Sequence, residues 1–224
     1  MISDRARAGA SIANRQAPLN KTTLAQAAAF LAAGDVGLAQ ILESNGPPPL
    51  WSRKPGFITL TRIILEQQVS LASADAMYRR LLLSLKPLSP ESVLAVGESG
   101  LRSLGLTRQK AAYFVNVADA IRTGELDLAS VAQANDESAI EMLTSIKGIG
   151  PWTARIYLLM ALRRPDVWPT GDIALAAAVG RLRGLEQRPG SKELADLATA
   201  WQPHRATAAR MLWLFYLTNM RKKG

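Results

Sequence analysis

Residues 143–182 read LTSIKGIGPWTARIYLLMALRRPDVWPTGDIALAAAVGRL, and this stretch decides the fold. Lys147-Gly148-Ile149-Gly150-Pro151 forms a glycine hairpin between two apolar segments of helical period. So tight a reversal calls for residues without Cβ, which Gly148 and Gly150 supply. Pro151 suits the first turn of the next helix, where a missing N–H costs nothing. The hairpin, residues 146–151, therefore gathers backbone N–H groups at the positive end of a helix, an arrangement suited to a phosphate. Beyond it a lone acid, Asp172, opens a further helix, and its residue type also suits an N-cap.

Composition narrows the class. The chain has 224 residues, 48% of them hydrophobic and 20% charged, enough to bury a sizeable core in one or two domains. Twenty-seven basic against 18 acidic side chains give a formal charge of +9, which favours an anionic partner such as nucleic acid or an acidic membrane surface. The absence of cysteine removes disulfides, thiolate zinc sites and iron–sulfur clusters. His204 is the single histidine, which excludes a multi-histidine metal site and argues against a histidine-based triad. The N-terminal residues have no apolar core of signal-peptide length, and no run approaches a membrane span. These features lead to the expectation of a cytoplasmic protein, associated with the nucleoid if bacterial.

In chain order, residues 1–20 are polar, small and aperiodic, and are expected to be a flexible tail. Thr22 or Thr23 is expected to cap a first helix, and a second runs from Asp35 to about Ser44. Gly46-Pro47-Pro48-Pro49 forces an extended connector. From Phe57 a helical pattern places Leu60, Ile63, Ile64 and Val69 on one buried face. Ser70 caps a helix with a stripe of Leu71, Ala74, Met77, Leu81 and Leu82. Ser89-Pro90 opens another, and Thr107 starts a long one through Ala111, Phe114, Val115, Ala118 and Ile121 that Gly124 ends. Asp136 begins the helix into the hairpin, and helices over roughly 191–200 and 204–221 follow Asp172. No alternating β segment is present, so the chain reads as all-α.

The pattern LxxIKGIGPWTA followed by Gly171-Asp172 resembles the helix-hairpin-helix DNA glycosylases, and among them most closely the 3-methyladenine DNA glycosylase II family. The likeness continues through IILEQQVSLASA (residues 63–74) and WQPHRATAA (residues 201–209), covering nearly everything after about residue 22. It implies an all-α fold of two helical lobes with a cleft between them, without the additional N-terminal domain of larger members, in a glycosylase domain spanning 21–224. It also implies a monomer acting on double-stranded DNA that contains alkylated bases, with no membrane association.

The resemblance assigns roles as well. Breaking an N-glycosidic bond develops positive charge on the sugar, which a fixed carboxylate stabilises while orienting or deprotonating water. Asp172 matches that acid, a role compatible with capping; Asp166 reads instead as a solvated turn residue. Bifunctional relatives carry a Schiff-base lysine two residues after the second hairpin glycine; here that position is Trp152, implying base removal without strand cutting. Trp152 and Trp213 match aromatic residues of the base pocket, where an indole face holds a cationic alkylated purine such as 3-methyladenine or 7-methylguanine. The family's pocket tyrosine falls on Ile156, with Tyr157 adjacent.

Gln68 aligns with the wedge that fills the gap left by an extracted base, with Gln67 as a second candidate. Phosphate contact is expected at Gly148, Gly150 and the Thr153 hydroxyl, with Lys147 either joining them or merely solvated. The chemistry needs no cofactor; the family's monovalent cation would bind the carbonyls of Thr144, Ile146 and Ile149. Arg205 reads as an internal ion-pair partner or a DNA contact, and Arg181, Arg183 and Arg221-Lys222-Lys223 as non-specific phosphate attraction. Two alternatives stand: a glycosylase for other lesions (1-methyladenine, hypoxanthine, uracil), or a non-catalytic DNA-binding protein, for which hairpin, wedge and charge suffice.

Overall fold

The computed structural model describes residues 17–221. Among the described residues there is no strand. The α-helices are α1 (Lys21–Gly34), α2 (Val36–Asn45), α3 (Phe57–Glu66), α4 (Leu71–Ser84), α5 (Pro90–Ser103), α6 (Arg108–Thr123), α7 (Leu128–Gln133), α8 (Asp136–Thr144), α9 (Pro151–Met160), α10 (Ile173–Leu182), α11 (Ser191–Ala198) and α12 (Arg205–Arg221), with a 3-10 turn at Thr199–Trp201. None of them is long and apolar enough to cross a membrane.

The chain divides into two compact units, one containing Arg53–Tyr157 and the other Gln16–Ser52 with Leu158–Gly224. The division falls inside α9.

In the first unit α3 packs on α6, burying Leu60, Ile63 and Ile64 with Phe114, Val117 and Ala118. The starts of α4 to α8 have a chemical cause: the side chains of Ser70, Ser89, Thr107, Asp127 and Asn135 each accept a first-turn N–H. Gly124 closes α6 in the left-handed conformation, φ 80°. α8 begins at Asp136 as expected, with Asn135 as its cap, and the short α7 had no counterpart in the sequence reading. The expected apolar stripes are partly wrong in phase. Val69 lies beyond the end of α3 and is exposed, as are Leu71 and Leu82 on α4, while Ala74 and Leu81 of the same expected stripe are buried. Leu82 stands about 100° around the helix from Leu81, which carries it off the buried face.

In the second unit α12 packs on α10, α2 and α1. Its alanines 206, 208 and 209 are fully buried and allow close approach. The expected tail ends earlier than residue 20. Leu19 is buried and donates its N–H to Arg163 O at 2.8 Å, and the cap of α1 is Asn20, which forms a capping box with Thr23. Residues 1–16 of that expected tail, and Lys222 and Lys223, lie outside the described residues. Asp166 is not a solvated turn acid: both its carboxylate oxygens take the Arg205 guanidinium, at 3.0 and 2.9 Å, which settles Arg205 as an internal partner.

Arg210 is fully buried among neutral acceptors, donating to Leu50 O at 3.0 Å, Ala206 O at 2.9 Å and Leu159 O at 2.7 Å. Burial pulls its guanidinium pKa down to about 10. The group still carries its charge at neutral pH, and the three carbonyl dipoles offset its desolvation.

Candidate active site and DNA interface

The hairpin belongs to the first unit. Ile146 and Ile149 are buried and anchor it, while Lys147 is exposed. Gly148 has φ +110°, and a Cβ there would lie 2.6 Å from Cγ of Tyr113, so both conformation and space require glycine. Gly150 differs from the expectation. Its φ is not positive and nothing lies within 4 Å of a Cβ built there, so the reversal does not depend on it. The Ile149 N–H is taken up inside the turn, donating to Ile146 O at 3.0 Å. It therefore leaves the set of amides available to a phosphate.

Two expected DNA contacts face inward. Thr153 is 1% exposed, and its hydroxyl oxygen accepts from Gln67 Nε2 at 2.8 Å. The same amide nitrogen donates to Gly148 O at 3.2 Å. Gln67 is thus a strut joining the end of α3 to the hairpin, and Thr153 is its anchor, rather than a wedge and a phosphate ligand. Lys110 braces the segment from α6, its ammonium donating to Leu65 O at 2.5 Å, and partial burial lowers its pKa. Gln68 is the opposite case. It is exposed and held at φ +55°, a conformation an L-residue adopts at a cost of roughly 1–3 kcal/mol.

Trp152, the second residue of α9, is partly exposed. The next two pocket candidates do not line an open surface. Ile156 and Tyr157 are both buried, and the Tyr157 hydroxyl accepts the Gly56 N–H at 2.9 Å. Burial raises the Tyr157 pKa. The helix around them, from Ala154 to Leu159, is covered on all sides except at Arg155, so lying next to a matched position does not make a residue pocket-lining.

Asp172 and Trp213 meet in the second unit. Gly171, at φ +83°, turns the chain so that Asp172 becomes the N-cap of α10. Its Oδ1 accepts the Leu175 N–H at 2.9 Å and the Trp213 indole N–H at 3.3 Å. The carboxylate is 9% exposed and sits at the positive end of the α10 dipole. Sequence reading missed Trp51, whose ring lies 6.5 Å from that of Trp213 at an interplanar angle of 64°. The one available signal was a large aromatic in a proline-rich connector, where no helical period calls for its burial.

The hairpin and the acid at the start of α10 are features the resemblance called for, and both lie within the stretch that a family model matches. Residues 61–203 match the model of the HhH-GPD superfamily base excision DNA repair protein. The chain belongs to this superfamily. A relative in Bacillus subtilis (strain 168), the putative DNA-3-methyladenine glycosylase YfjP, is 27% identical over 184 residues, covering 79% of this chain and 64% of its own length. This HhH-GPD chain thus spans less than two thirds of that relative. Two solved structures are similar throughout. The Schizosaccharomyces pombe 3-methyladenine DNA glycosylase Mag1 in complex with abasic DNA matches with a TM-score of 0.79 at 26% identity, covering 84% of this chain and 95% of Mag1. A DNA-3-methyladenine glycosidase from Bacillus halodurans matches with a TM-score of 0.72 at 32% identity, covering 86% and 89%.

Proposed function

We propose that this HhH-GPD protein is a monofunctional DNA glycosylase that releases alkylated purines of the 3-methyladenine and 7-methylguanine type from duplex DNA by hydrolysis, leaving an abasic site. The observation that carries the reading is the bonding of Asp172: one carboxylate oxygen takes both a helix-start amide and the Trp213 indole. That fixes the direction of the carboxylate. As the glycosidic bond lengthens, positive charge grows on the deoxyribose, and a fixed negative charge stabilises that state more than the ground state. The same carboxylate orients the attacking water and takes its proton. A methylated purine is already cationic in the nucleoside and leaves without a general acid. Trp213, bonded to Asp172, offers it an indole face worth roughly 0.5–2 kcal/mol to a cation, and the resemblance gives Trp152 a like role. With Trp152 where a lyase would carry lysine, no Schiff base forms and the strand stays intact.

Duplex DNA is the partner, held at the hairpin through Gly148, Gly150 and the start of α9, with Gln68 entering the stack where the base has left. The carbonyls of Thr144, Ile146 and Ile149 are neutral hard donors of the kind that hold a monovalent cation, and Ile146 O, already accepting the Ile149 N–H, has its second lone pair for it. Such an ion would supply charge toward a phosphate and takes no part in bond cleavage. This reading places the protein with the chromosome, in the cytoplasm if the source is bacterial.

The test is a panel of duplexes carrying 7-methylguanine, 1-methyladenine, hypoxanthine or uracil, with the freed base quantified. The cationic lesions are expected to be released faster than the neutral ones. Preferential release of uracil or hypoxanthine, or no release at all, would overturn the assignment.

A further inference from the structure

We propose that Trp51 is a second aromatic wall of the site that receives the extruded base, set at an angle to Trp213. The inference rests on the base-release reading above and adds a residue to it. Trp51 follows the extended segment Pro47-Pro48-Pro49-Leu50, and its backbone has φ +45°. A bulky L-residue in that region is strained, and such strain persists where the surroundings over-determine it. A connector needs no such conformation, and a tryptophan serving only to cover apolar surface could do so from a relaxed backbone.

The structure supplies the device that holds it. The preceding carbonyl, Leu50 O, accepts from Nε of Arg210 at 3.0 Å, and Arg210 is fully buried with its other nitrogens on Ala206 O and Leu159 O. Arg210 and Trp213 stand three residues apart on α12, hence on one side of the helix. The group that pins the Trp51 backbone and the ring that Trp51 meets therefore come from the same rigid element. The two indoles meet at 64° with centroids 6.5 Å apart, so they form a corner, and one of them is bonded through Nε1 to Asp172. Trp213 is 9% exposed, whereas Trp51 is more exposed and has ring surface left for a ligand. A planar, cationic, methylated base fits such a corner, gripped by a π face while its sugar lies toward the carboxylate.

The experiment compares Trp51→Gly and Trp51→Phe with the unmodified protein. Glycine suits φ +45°, so it removes the ring without straining the connector; phenylalanine keeps a smaller π face. Single-turnover release of 7-methylguanine is measured alongside affinity for the same duplex carrying a tetrahydrofuran abasic analogue, which has no base to grip. Trp51→Gly is expected to slow release about 2- to 30-fold, the range a lost cation–π contact gives. Affinity for the abasic duplex should stay within about 2-fold, and Trp51→Phe should recover most of the rate. Release at the unmodified rate by Trp51→Gly, a matching loss of abasic-duplex affinity, or loss of its cooperative melting transition would each overturn the proposal. A failure of the unmodified protein to release any methylated base is a different result, and overturns the base-release reading itself.

Discussion

At the scale of single residues, one carboxylate oxygen serves two ends. Oδ1 of Asp172 caps α10 and accepts from Trp213, so alanine at 172 removes an acceptor from two buried donors. Asp172→Ala is expected to cost about 1–3 kcal/mol in chemical denaturation, whereas Asp172→Asn, which keeps an oxygen acceptor, should lose well under half of that. Tyr157 gives a prediction with a pH sign. Burial raises its pKa in the folded protein, so its contribution is fully present below pH 10 and is lost as pH rises through the folded value. Tyr157→Phe should destabilise by roughly 1–3 kcal/mol at neutral pH, because the Gly56 N–H loses its acceptor, and the gap from the unmodified protein should narrow above pH 10. A gap that is constant from pH 7 to 11 would contradict this. The resemblance, and not residue identity alone, separated Asp172 and Trp213 from their neighbours, since on local sequence the acid reads equally as a helix cap and the tryptophan as core. It could not do so for Gln67 and Thr153. An amide or hydroxyl near a loop reads the same whether it faces water or a neighbouring carbonyl, and only the coordinates distinguish the two.

At the scale of elements, the hairpin glycines separate cleanly. Gly148→Ala combines a left-handed φ with a Cβ 2.6 Å from the Tyr113 ring, and should destabilise by about 2–4 kcal/mol. Gly150→Ala meets neither problem and should stay within about 1 kcal/mol in thermal unfolding. Equal effects at the two positions would contradict the geometry. Helix limits were the most legible feature of the sequence, because Ser70, Ser89-Pro90, Thr107 and Gly124 carry their capping chemistry in their side chains or in the lack of one. Faces were less legible. On α4, whose leucines at 81, 82 and 83 point in three directions, only tertiary contact decides which one is buried. The start of α1 was misplaced for a related reason: Asn20, Thr22 and Thr23 are all competent caps, and the one chosen is the one whose partner, Thr23, closes the box.

At the scale of the whole molecule, the sequence announced an all-helical, basic, cysteine-free chain, and its family followed from three motifs in order. The division at Tyr157 was not legible, since α9 carries its helical period straight through it. Trp51 escaped notice for a similar reason, as its importance depends on an arginine and a tryptophan more than 150 residues away in the chain. What joins these parts is a single functional proposal, that Asp172 drives hydrolytic base loss without cutting the strand. The most direct measurement follows a duplex carrying one 7-methylguanine, assayed for freed base and, separately, for strand breaks before and after alkali, with the unmodified protein and Asp172→Asn. The account predicts base release with breaks only after alkali for the unmodified protein, and release at least about 100-fold slower for Asp172→Asn. Full-rate release by Asp172→Asn, or strand cleavage without alkali, would contradict it.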